Sequence, residues 1–99
     1  MTTTDHRKAA EGRIDALVSI LQNEPVSELR DGLIEECAAL AVAIRAFHME
    51  GIRFRMFNVD RILSRGLVSL PAEAHTAFSE ARGYLEAAGF QTRSHQAPQ

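Results

Sequence analysis

Gly51-Ile-Arg-Phe-Arg-Met-Phe-Asn-Val-Asp-Arg61 is the stretch on which the fold turns. Ile52, Phe54 and Met56 alternate with Arg53 and Arg55, the period of a half-buried strand, whereas Ile52, Met56, Val59, Leu63 and Leu67 recur at the spacing of one helix face. Phe57 breaks the alternation, and Asn58 and Asp60 are poor strand residues, so the stretch reads as helix. The alternative is an α+β fold with a short strand at 52–57, whose other strand-like run would be Phe90-Gln-Thr-Arg93. On a helix, Phe54 and Phe57 fall away from the Ile52 stripe, on the side of Arg61 and near Arg65. A helix apolar on two sides requires two neighbours.

Upstream, Leu33, Cys37, Leu40, Ile44 and Phe47 are spaced four, three, four, three, the rhythm of a helix lying lengthwise on another. That rhythm continues through Gly51, Phe54 and Asn58, which allows two outcomes. The helix ends near Glu50 with Gly51 in the left-handed conformation, or it continues from 28 to about 65 and tolerates one interior glycine. The second is the one expected here. Such a helix would be about 57 Å long at 1.5 Å per residue, and would need a partner over part of its length.

The flanks are also helical, and the whole reads as an all-α bundle of three or four helices in a single domain. Ala10, Ile14, Leu17, Val18 and Leu21 mark a first helix over about 5–22, capped by Thr4 or Asp5 and ended by Asn23-Glu24-Pro25. Ser27 is the next N-cap, with Glu28 and Asp31 near the positive end of the helix dipole. Pro71 suits the first position of a last helix over 71–88, with Ala74, Ala77, Phe78, Ala81, Leu85 and Ala88 inside and Gly89 closing it. Residues 1–4 and 91–99 are expected to be loose ends, with Phe90 alone pinned to the body.

Composition narrows the function classes. The chain has 99 residues and a formal charge of -2, without the strong positive field of a nucleic-acid-coating protein. Residues 1–50 carry nine acidic and five basic side chains, and residues 51–99 four and six, so the halves can attract each other within or between chains. Four arginines between 53 and 65 pair with two phenylalanines, but Arg53 and Arg55 diverge by about 160° on a helix and form no basic stripe. Nucleic acid is therefore not the expected partner. The longest apolar run, Ala38 to Ile44, is too short to span a bilayer, and no signal peptide opens the chain, so a cytoplasmic location is expected.

No phosphate loop, dinucleotide fingerprint or nucleophile elbow occurs, and a single cysteine with scattered histidines offers no zinc spacing. Cys37 sits on an apolar stripe, where burial makes a thiol inert. Glu35 and Glu36 point about 100° apart and make no acid and base pair. His48 leans towards an apolar face, as a packed residue hydrogen-bonded to a backbone or side-chain acceptor. No catalytic, cofactor or metal site is expected. The sequence points instead to association, most simply as a homodimer over 47–63, with Phe47, Phe54 and Phe57 as anchors and Arg55, Arg61 and Arg65 as orienting charges. One rival is a ligand-binding or catalytic bundle with a cavity beside His48 and Tyr84; another is a nucleic-acid accessory protein.

Overall fold

Local signals start and stop each helix. The computed structural model describes residues 2–66 and 69–90, and those residues form α1 (Thr3–Gln22), α2 (Glu28–Ala46), α3 (Met49–Ser64) and α4 (Ala72–Ala87). No strand occurs among the described residues, so the α+β alternative falls: 52–57 is helical throughout, and Ile52, Met56, Val59 and Leu63 are all buried. Leu67, assigned to the same stripe, and 91–99 lie outside the described residues. No helix described is long and apolar enough to cross a membrane.

α1 begins two residues ahead of expectation. Thr2, rather than Thr4 or Asp5, is its N-cap: the Asp5 amide donates to Thr2 Oγ1 at 3.1 Å, and Asp5 Oδ2 accepts from the Thr2 amide at 3.2 Å. This reciprocal capping box holds the Asp5 carboxyl below its usual range, since the Thr2 backbone bond favours the ionised form. Ser27 caps α2 as expected, accepting from the Arg30 amide at 3.0 Å. Pro71 stands one place earlier than expected, as the N-cap of α4 without a side-chain cap bond.

The long continuous helix does not form, and the glycine does not make the break. α2 stops at Phe47, which takes the left-handed conformation at φ 60°, while the Phe47 amide donates to Ile44 and the His48 amide to Ala43. Gly89 closes α4 with the same pair of bonds, Gly89 to Glu86 and Phe90 to Leu85, so a phenylalanine does at one end what glycine does at the other. Folding back at 47 lets Ile52, Met56, Val59 and Leu63 bury against the other helices instead of projecting along a lone rod.

Neighbouring helices run antiparallel, and one arginine-carboxylate pair spans each junction. Arg45 of α2 reaches Glu11 of α1 at 2.7 Å, Arg55 of α3 reaches Glu36 of α2 at 3.0 Å, Arg82 of α4 reaches Asp60 of α3 at 3.2 Å, and Arg13 of α1 reaches Glu80 of α4 at 3.6 Å. The result is an up-down-up-down bundle. Its core is formed by Ile14, Leu17, Leu21, Leu33, Leu40, Ile44, Ile52, Met56 and Leu85, with alanines filling the close approaches of α4. The start of α1 lies against the end of α4, where the rings of His6 and Tyr84 meet edge to face at 6.4 Å.

Candidate protein interface on α2 and α3

Three features of the α2–α3 hairpin set its outer face. His48 caps α3 with its ring: Nδ1 accepts from the Gly51 amide at 2.9 Å. The ring can do so because Gly51 has no side chain, since a Cβ there would lie 2.6 Å from His48 Nδ1 and 3.3 Å from Ala43 Cβ. The same vacancy leaves the floor between α2 and α3 low. Lower down the hairpin, Arg55 donates from one guanidinium nitrogen to both Glu36 oxygens, at 3.1 and 3.0 Å, and Asn58 adds a bond to Glu36 at 3.3 Å.

Above that floor lies an open groove of about 550 Å³, lined by Ala39, Val42, Ala43, Ala46, His48, Gly51, Phe54 and Arg55. Its origin is in α2. From Cys37 to Ile44 every residue is apolar, so the helix has an apolar surface on all sides, and a helix of that kind belongs in an interior. Leu33, Cys37, Leu40 and Ile44 are buried on the inner side, but Ala38, Val42 and Ala46 face outward. Val42 is 57% exposed and Phe54, across the groove on α3, is 47% exposed. Glu35, Ala39, Val42 and Ala46 follow one stripe of α2, and Phe54, Asn58, Arg61 and Arg65 follow the adjacent stripe of α3.

The six residues expected to form an interface do not all gather here. Phe54 and Arg55 line the groove, Arg61 and Arg65 continue its stripe, and Arg55 leans over Phe54 with its guanidinium carbon 5.1 Å from the ring centre. Arg55 is nevertheless engaged with Glu36, so its first role is to hold α3 to α2. Phe57 is half-buried, with Arg61 5.9 Å from its ring. Phe47 belongs elsewhere: its ring meets Phe90 at 5.2 Å and carries Arg7 at 4.4 Å on its face, at the end of the bundle. The 47–63 stretch supplies only the α3 side of this groove; Ala39, Val42 and Ala46 of α2 line the other side, and the sequence signal for them is the apolar run from Ala38 to Ile44.

Chemistry at the face is limited by what its polar groups already do. Glu36 is occupied by Arg55 and Asn58, and His48 Nδ1 by a backbone amide. Beneath them, burial and the nearby Glu36 charge push the Cys37 thiol up to about 12, so it stays protonated at neutral pH. Tyr84, expected to share a cavity with His48, is not among the groove residues and instead contacts His6 across α1 and α4. Among the described residues, no three His, Cys, Asp or Glu side chains come together as metal ligands. Comparison with protein-family models, characterised sequences and solved structures finds no match to this chain.

Proposed function

We propose that this chain is an association module whose working surface is the outer face of α2 and α3. The observation that carries the reading is the outward side of α2 around its apolar run Cys37 to Ile44: Val42 and Ala46 stand in solvent beside Phe54 in a groove whose polar groups are already paired. Covering the exposed parts of Val42 and Phe54 contributes about 1 kcal/mol each. Association costs at least about 4 kcal/mol in lost rigid-body freedom. The small residues, which let a facing helix approach closely, and the rim charges must supply the remainder.

The nucleic-acid rival finds less support in these positions. Arg55 and Arg82 are committed to Glu36 and Asp60, and of the remaining arginines Arg61 and Arg65 stand beside the acidic first half of α2.

A photoreactive residue placed at Val42, with a control at the exposed Ser79 on α4, tests the association reading in cells expressing the chain. A cross-linked product of discrete mass at 42, absent at 79 and abolished by Phe54→Asp, is the expected result. Equal labelling at both positions, or none at 42, would mean that α2 and α3 face only solvent.

A further inference from the structure

We infer that the occupant of the α2–α3 face is a second copy of this chain, related by a two-fold axis that runs between α2 and α3 and parallel to both. This rests on the reading of that face as an association surface. A two-fold axis of this orientation lays α2 of each copy over α3 of the other. The partner is then specified by whether the two stripes complement each other, level by level.

The register is set by contacts within one chain. Glu36 stands level with Arg55 and Asn58, and Ala43 with Gly51, so Ala39 and Val42 lie at the height of Phe54. Across the axis, the small residues of one copy receive the partner's Phe54, a projection set against a depression. Glu35 lies one turn towards the α2 start, level with the segment between Asn58 and Arg61, and it therefore meets the partner's Arg61. Glu28 and Asp31, at the beginning of α2, approach the partner's Arg65.

Charge selects this arrangement over the other one that two copies could adopt. Glu28, Glu35, Arg61 and Arg65 are exposed, and no ion pair is recorded for any of them among the described residues. The free charges on this face are thus acidic along α2 and basic along the second half of α3. Placing α2 over α3 brings opposite signs together. An axis perpendicular to the helices would lay α2 on α2 and α3 on α3, and would leave both sets without partners.

Light scattering and sedimentation from micromolar to millimolar concentration, with Glu35→Arg, Arg61→Glu and the double variant, test the arrangement. The wild type is expected to dimerise, each single variant to weaken dimerisation at least about tenfold, and the charge-swapped double to recover most of that loss. Among the described residues neither side chain has an ion pair, so at a dilution where the monomer dominates Glu35→Arg should melt as the wild type does, and the two variants carrying Arg61→Glu, which give up the Phe57 ring and the last-turn cation of α3, only slightly lower. A dimer indifferent to both single variants, or not restored in the double, overturns this arrangement. A wild type that stays monomeric at millimolar concentration overturns the second copy as occupant, as does a Val42 cross-link to a different protein. The association reading is then judged separately by whether Val42 cross-links at all.

Discussion

Gly51 lies in the first turn of α3, and glycine within a helix is normally a liability of about 1 kcal/mol relative to alanine. Here it makes room for the His48 ring. Gly83 gives the contrast, since it too lies within a helix but a Cβ there would meet nothing within 4 Å. Gly83→Ala is therefore expected to raise stability by about 1 kcal/mol, which in a domain of this size is about 4–8 °C in melting temperature. Gly51→Ala is expected to lower it, because the new methyl displaces the ring that caps α3, and losing a cap costs about 1 kcal/mol. Thermal melts of the two variants side by side check the sign; an equal gain in both would show that the His48 cap contributes nothing. Spacing alone could not reveal this. A glycine on the helical rhythm looks like either a tolerated gap or a stop, and its use depends on a histidine three residues earlier folding back over it.

At the scale of the helix, the question is why α2 stops where it does. Phe47 holds a left-handed backbone that costs a residue with a side chain roughly 1–2 kcal/mol. Its ring offsets part of this against Phe90 and Arg7. Phe47→Ala keeps the backbone cost and loses the ring, whereas Phe47→Gly loses both. Phe47→Gly should consequently be the more stable of the two by about 1 kcal/mol, as chemical denaturation of the pair would show. If alanine proves the better tolerated, the chain at 47 is not left-handed. The elements themselves were legible: the inner stripes from Ala10 to Leu21, Leu33 to Ile44, Ile52 to Leu63 and Ala74 to Leu85 are buried as their spacing implies, except that Val18 is half-buried at the edge of the first. Where α2 and α3 part was not, because Phe47 continues the heptad rhythm and only tertiary contact turns it aside. The α2 half of the groove was hidden for a related reason. Periodicity finds the inner face of a helix, and in α2 the apolar run erases the contrast between inner and outer faces.

Across the whole molecule, each junction between neighbouring helices carries one arginine and one carboxylate in contact. These pairs are partly exposed, and each contributes at most about 1 kcal/mol, screened by salt. The larger share of stability comes from the buried aliphatic core, and the pairs add preference for one order of helices over its mirror arrangement. The unequal charge of the two halves anticipated only part of this: Glu36 with Arg55 joins the acidic half to the basic one, while Arg45 with Glu11 and Arg82 with Asp60 each stay within a half. The antiparallel pairing of α1 with α4 has a topological consequence. The first turn of the bundle and its last lie side by side, and α3 packs on α2 while α4 packs on α1, so the ends of the chain can be joined without disturbing any packed pair of helices. A permuted gene that joins Gln99 to Met1 and opens between Glu24 and Pro25, in the exposed link before Ser27, should therefore yield the same helical content and cooperative melt by circular dichroism. A permutant that fails to fold would show that the link between α1 and α2, rather than the set of faces the helices present, directs the assembly.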